Sequence, residues 1–222
     1  MNLYSYCLKH DMGSAPNPYW GICTLVICKP AIRRTAIIGD WVLGFGSKNS
    51  PIGDISSKLV YAMKVTDVMT LQDYDQFCRT KHKRKIPDLQ SNDYRRWVGD
   101  CQYDYSKGLE PKIRPGVHNE LNRKRDLSGK NALLSDHFYY FGNKPITLPD
   151  NLKPIMHSTQ GHKSTLNKPY IEIFVRWIEG SEYRRNRLYG EPQLKSKFEL
   201  DPKGCETCAH RDLEDDEDDE MC

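Results

Sequence analysis

Ile32–Val65 reads IRRTAIIGDWVLGFGSKNSPIGDISSKLVYAMKV, and the fold turns on how this stretch is parsed. Two apolar runs of strand length, Ala36–Phe45 and Leu59–Val65, flank a connection rich in Gly, Ser, Asn and Pro. Gly39-Asp40 interrupts the first run, a turn or bulge signal that brings the chain into a sheet at a sharp angle. In the second run Leu59, Tyr61, Met63 and Val65 alternate with Val60, Ala62 and Lys64, as a strand with unequal faces does. Gly44, Gly46, Ser47, Lys48, Asn49 and Ser50 supply a permissive polar loop. Backbone N–H groups and one cation in such a loop suit a phosphate or a base edge; they equally suit a plain surface connector.

Length and composition bound the answer. The chain has 222 residues, enough for one domain. With 38% hydrophobic residues and a mean hydropathy of −0.73, a modest core with long polar connections is expected. No stretch approaches the roughly 18 apolar residues of a membrane span. The opening MNLYSYCLKHDMG lacks the signal-peptide pattern, so the expectation is a cytoplasmic protein whose eight cysteines stay reduced. Cys7, Cys23 and Cys28 sit in apolar text, where cysteine behaves as a small hydrophobe. The formal charge of +3 hides an asymmetry: Asp212–Glu220 alone holds eight carboxylates. Setting these aside leaves 22 of the 30 acids against 33 bases, a formal +11. A basic body with an acidic tail fits a polyanionic partner such as a nucleotide or nucleic acid, and fits a solubilising tail as well.

Along the chain, Leu3–Leu8 reads as a strand, and Pro16-Asn17-Pro18 stiffens the loop after it. Gly21–Cys28 is a buried strand or the start of a helix, stopped by Lys29-Pro30. Thr70 caps a short helix carrying Leu71, Tyr74 and Phe77. Arg79–Lys85 is a basic run. Asn92–Val117 reads as a long irregular excursion with at most one short strand, its Trp97, Tyr103 and Tyr105 mixed with Arg95, Arg96 and Lys107. Ala132–Leu134 and Phe138–Phe141 are strands broken at Ser135-Asp136-His137. Pro169–Ile178 alternates like a strand, yet Tyr170, Phe174 and Trp177 have helical spacing, which favours a helix. One domain over residues 1–200 and a disordered acidic tail over 201–222 are expected.

No nucleotide, hydrolase or zinc-protease fingerprint occurs. Cys205-x-x-Cys208-x-His210 is half a zinc site without its other half, so neither a metal nor a cofactor is expected. Acid–base pairs could be assembled by the fold from Asp11, His118, Asp126 and His162.

Several phrases together carry a resemblance. They are Ala15-Pro16-Asn17-Pro18, Cys28-Lys29-Pro30 with Ile32-Arg33-Arg34, the run Gly39–Ser47, Leu59–Val65, His118-Asn119, and Ser135–Gly142. Over about residues 1–178 the chain resembles the nucleotide modification associated domain family, second type, of bacteria and their phages. The core run also resembles the PUA/EVE/YTH class of small barrels that read modified bases. The resemblance implies an α+β, PUA-like small mixed β-barrel with peripheral helices and long loops, binding a nucleotide or modified base. It places Asn17, Trp20, Ser47, Lys48, His118, Ser135 and Tyr139 at the nucleotide. Arg33, Arg34, Lys83, Arg84 and Lys85 would meet phosphate. The base slot is expected between the Gly39–Trp41 ribbon and the Phe138–Phe141 ribbon. Two rival readings stand beside this one. An enzyme would use His118 with Asp126, or Asp11 with His162, and an interaction protein would act through a DNA-mimicking tail.

Overall fold

The computed structural model describes residues 1–159 and 161–194. In chain order the elements are β1 (Leu3–Leu8), β2 (Cys23–Leu25), α1 (Pro30–Thr35), β3 (Trp41–Gly46), β4 (Lys58–Lys64), β5 (Asp67–Thr70) and α2 (Leu71–Thr80). Then follow α3 (Tyr94–Trp97), β6 (Tyr103–Asp104), β7 (Lys112–Ile113), α4 (Arg123–Ser128), β8 (Asn131–Ser135), β9 (His137–Tyr140), β10 (Ile146–Thr147), α5 (Ile171–Glu179) and β11 (Arg187–Leu188).

The main sheet runs β1-β3-β4-β9-β11, with β10 pairing to β4. β1 lies parallel to β3, Leu3 opposite Trp41, and β4 is antiparallel to both β3 and β9. A second sheet is ordered β2-β8-β5, and β6 with β7 forms a small ribbon. The strand path of the main sheet has two ends, so among the described residues the sheet is open. This is α+β architecture without the closed barrel expected from the PUA likeness. The two sheets are joined at Asp136, the one residue between β8 and β9. Ser135 Oγ accepts the His137 N–H at 3.1 Å and donates to the His137 carbonyl at 2.9 Å. That tight turn passes the chain from the second sheet to the main one.

Strand alternation sorts the main sheet into two cores. Tyr4, Tyr6, Val42, Val60, Met63, Phe138 and Tyr140 pack on one face. Leu3, Trp41, Leu43, Phe45, Ala62, Tyr139 and Phe141 pack on the other, beneath Ile171, Phe174 and Ile178 of α5. The helical reading of 169–178 holds, since its apolar spacing meets a sheet that needs covering. Each of the three α5 side chains contributes roughly 1.5–3 kcal/mol by burial. The Thr70 cap also forms, its Oγ1 accepting the Asp73 N–H at 3.1 Å.

Three sequence expectations change. Ile37 and Ile38 are 61% and 63% exposed, because the strand begins only at Trp41, after the turn at Gly39. Gly44 and Gly46 lie inside β3, where a Cβ would come within 2.4 Å of the Tyr61 ring and of the Ile55 carbonyl oxygen. They serve close packing there, not a ligand loop. The slot between the Gly39–Trp41 and Phe138–Phe141 ribbons is absent: β4 lies between β3 and β9, and side chains fill the space. The Trp41 ring packs edge-on against His137 at 5.3 Å and Phe174 at 5.4 Å.

The 92–117 excursion carries more structure than expected, with α3 and the β6–β7 ribbon. Polar anchors fix it. Tyr94 donates to the Met12 carbonyl at 2.6 Å, and the buried Asp75 accepts from Arg114 at 2.7 Å and from the Tyr105 N–H at 3.0 Å.

Candidate active site

Between β2 and α1 the backbone does something L-residues avoid. Cys28 and Lys29 hold φ of 59° and 42°, both in the left-handed region. Such conformations cost on the order of 1–3 kcal/mol each and persist only where the surroundings enforce them. Here two buried side chains do so. Asp126 Oδ1 accepts the Cys28 N–H at 2.9 Å, and Arg33 Nε donates to the Cys28 carbonyl at 2.7 Å. The Arg33 guanidinium also donates to the Asp126 carbonyl at 2.5 Å and the Asn131 carbonyl at 2.9 Å, tying α1 to α4 and β8. Gly129 is required beside it, since a Cβ there would lie 2.3 Å from the guanidinium carbon.

The turn delivers the Cys28 side chain to His118. Sγ lies 3.5 Å from Nε2, and on the ring's other side Nδ1 lies 2.5 Å from Asp126 Oδ2. A carboxylate only accepts, so Nδ1 carries a proton and Nε2 faces the sulfur. Tyr103 donates to the same Asp126 oxygen at 2.9 Å. Gln102 Oε1 accepts the His118 N–H at 3.0 Å and fixes the loop. His118 and Asp126 are buried, while Cys28 is half-buried; Cys7, Cys23, Cys78 and Cys101 are fully buried. The arrangement is therefore thiol, imidazole and carboxylate in line, running from the half-buried Cys28 to the buried Asp126.

Electrostatics reinforce the line. Burial disfavours a charged His118, yet the Asp126 carboxylate and the adjacent Cys28 outweigh it and raise the imidazole well above its ordinary value. Burial likewise opposes ionisation of Asp126, but His118 and Arg33 hold its carboxyl below the ordinary value. An imidazolium next to sulfur favours the thiolate, the form of cysteine that acts as a nucleophile. Stability follows from linkage. The raised His118 contributes fully below the ordinary imidazole value of 6.5, and loses this as pH climbs through its folded value. The lowered Asp126 contributes fully above the ordinary 3.8, and loses this as pH falls through its folded value. The expected melting temperature is thus highest between these limits. Asp126→Asn should remove the acid-side decline owed to this pair, and melting curves from about pH 3 to 9 check it.

The other candidates scatter. Asn17 is fully buried in a polar network, its amide donating to the Val98 carbonyl at 2.9 Å. Ser47 Oγ accepts the Asn49 N–H at 3.2 Å, and Lys48 is exposed on the loop after β3. Ser135 makes the sheet-crossing turn, and Tyr139 lies under α5. Arg34 Nη1 reaches the Ser128 carbonyl at 3.4 Å. Arg33 and Lys85, expected at phosphate, are 0% exposed. Their cationic groups are spent on internal acceptors, four of them on Lys85 within 3.0 Å. Trp20, Lys83 and Arg84 do come together, lining one hollow. Asp11 is engaged by the Tyr140 hydroxyl at 2.7 Å and 2.8 Å, and burial pushes its carboxyl up to about 6; the His162 ring packs beside Tyr4 instead.

A family model described as nucleotide modification associated domain 2 matches residues 1–199. The chain belongs to that family. No match exists among curated proteins or among solved structures. The match takes in every residue of the Cys28–His118–Asp126 line. The nucleotide modification associated domain 2 name points to nucleotide or DNA modification systems. Of the site, the sequence offered His118 and Asp126 as a pair but passed over Cys28, whose apolar neighbours made it look like core. The signal was the Lys29-Pro30 pair directly after it, which opens a helix just past the thiol.

Among the described residues no cluster of His, Cys, Asp and Glu is arranged to hold a metal, and no helix is long and apolar enough to cross a membrane. The Cys205/Cys208/His210 motif and the acidic Asp212–Glu220 segment lie outside the described residues.

Proposed function

We propose that this protein is a thiol-dependent enzyme acting on a nucleotide or nucleobase, with Cys28 as nucleophile, His118 as general acid and base, and Asp126 as the group that orients His118. The observation that carries the reading is the 3.5 Å and 2.5 Å pair of contacts that His118 makes to Cys28 and Asp126. Nucleophile beside base, and base held by a third group, is how such sites are recognised on unrelated folds.

The reaction class that suits these groups is substitution at an electrophilic carbonyl or amidine carbon. The Cys28 thiolate adds its electron pair to that carbon, and the π pair moves onto the oxygen or nitrogen. Collapse expels the leaving amine or alkoxide, which takes the Nε2 proton of His118. The resulting thioester or thioimidate is then attacked by water or an acceptor amine, whose proton passes to His118 as the thiolate departs. Asp126 stays ionised throughout and keeps the imidazole in register. A base-reading module without catalysis is less well supported, since Asn17, Ser135 and Tyr139 are committed to internal packing in different parts of the fold.

The test is peptide mapping by mass spectrometry after incubation with nucleotides and DNA bearing acylated or amide-containing bases. A substrate-derived mass on the Cys28 peptide, absent from Cys28→Ser, is expected. Turnover that survives Cys28→Ser would overturn the assignment.

A further inference from the structure

Trp20 begins the approach to β2 with φ of 68°. Its ring is flanked by two guanidinium groups, Arg84 at 5.0 Å and Arg95 at 4.7 Å. Arg95 is held in place by a forked contact with Asp93, its Nη2 at 2.7 Å from Oδ2. Beside the ring lies a hollow of about 500 Å³ lined by Trp20, Thr80, Lys81, His82, Lys83 and Arg84. Lys81, Lys83 and Arg84 are exposed. Burial, and after it the charges of Lys85 and Lys81, lower the His82 imidazole below its ordinary value. His82 is therefore neutral near pH 7, its ring stacked on Phe77 at 4.7 Å.

Cations on a shallow wall with planar groups at its edge suit one class of ligand, a single-stranded nucleic acid. Its phosphates need point charges and forks, and its unpaired bases need planar surfaces. A second observation links this wall to the Cys28 line. Trp20 and Leu127 both pack against the buried cluster containing Ile27, Tyr103 and Val117. Ile27, Val117 and Leu127 are chain neighbours of Cys28, His118 and Asp126, and Tyr103 is bonded to Asp126. One packed cluster backs both places.

We infer that the Trp20 wall is a strand-docking site, and that the nucleotide processed by Cys28 is presented within a single-stranded nucleic acid, not as a free monomer. The second half of this statement rests on the thiol-enzyme reading; the docking half does not.

The experiment is fluorescence anisotropy of a labelled 12-nucleotide DNA strand with the full chain, titrated with salt. Wild type is compared with the double variant Lys83→Glu/Arg84→Glu, and with a control of equal charge change, Lys9→Glu/Lys168→Glu, at exposed lysines elsewhere. The wall variant should lose at least tenfold in affinity, and its log affinity against log salt should flatten by about 1.4 for the two cations removed. The control should change less than about twofold. Equal losses in both doubles would mean diffuse attraction to a basic body and would overturn the site. So would binding of a mononucleotide as tight as that of the strand. If a peptide of Asp212–Glu220 binds the wall and the strand does not, the acidic segment is the occupant and the inference fails. Cys28 adduct formation with a small acyl nucleotide should be unchanged by the control Lys9→Glu/Lys168→Glu. Strand binding without any Cys28 chemistry would sink the enzyme reading and leave the docking site standing.

Discussion

Cys28→Ala should reduce turnover by roughly 10⁴-fold to 10⁶-fold, the range seen when the nucleophile of a cooperating triad is removed. His118→Ala should cost nearly as much, because without the imidazole neither the charged pair nor the proton for the leaving group is available. Asp126→Asn should cost less than either. It leaves sulfur and ring in place while removing the charge that sustains the imidazolium and fixes the Nδ1–H tautomer. Its effect on structure is a separate matter, since Oδ1 also accepts the Cys28 N–H. The double variant Cys28→Ala/His118→Ala should be no worse than Cys28→Ala alone, within about threefold, if the groups act as one unit. Steady-state rates on the substrate found by adduct mapping check this ordering. Multiplying losses in the double variant would mean the two residues act independently.

The second large effect is on stability. Lys85→Met should destabilise the fold by about 3–5 kcal/mol. The ammonium reaches the Asn17 carbonyl, Asn17 Oδ1, the Ile22 carbonyl and Thr24 Oγ1 at 2.8 Å to 3.0 Å, and Asn17 and Thr24 are 0% exposed. Behind them lies Asp100, fully buried, accepting from Tyr74 at 2.7 Å and from the Thr24 hydroxyl. Burial lowers Lys85 and raises Asp100 from their ordinary values, and each partly restores the other. Removing the cation leaves a buried carboxylate without its counter-charge and several acceptors without donors. Urea unfolding should therefore show a lower midpoint at unchanged slope. Adding Asp100→Asn should recover part of the loss, as the orphaned charge is removed. Arg84→Met, one residue earlier and exposed, should stay within about 0.5 kcal/mol of wild type. If Lys85→Met and Arg84→Met melt alike, the network does not hold the loops as described.

These two residues also show what was legible in the sequence. Arg79–Lys85 reads as one basic run, yet its last member is a core residue, because residue type carries no record of which lysine the chain turns inward. The strands at Leu3, Leu59 and Phe138 and the α5 helix were readable, since period 2 and period 3.6 report directly on which face is buried. That the strands divide into two open sheets instead of closing one barrel was not, because the division depends on the Ser135–His137 turn carrying the chain from one sheet into the other. His118 and Asp126 lie eight residues apart and could be nominated together. Cys28 lies 90 residues from His118, and only the α1–α4 packing through Arg33 brings them into line.

The central claim, that His118 and Asp126 keep Cys28 as a charged nucleophile, is tested most directly by the pH dependence of its alkylation. Iodoacetamide labelling of the Cys28 peptide should proceed at a nearly constant rate between about pH 6 and 8, and His118→Ala should slow it about 100-fold at the acidic end. A wild-type rate that climbs about tenfold per pH unit up to the ordinary thiol value near 8.5, unaltered by His118→Ala, would contradict the account.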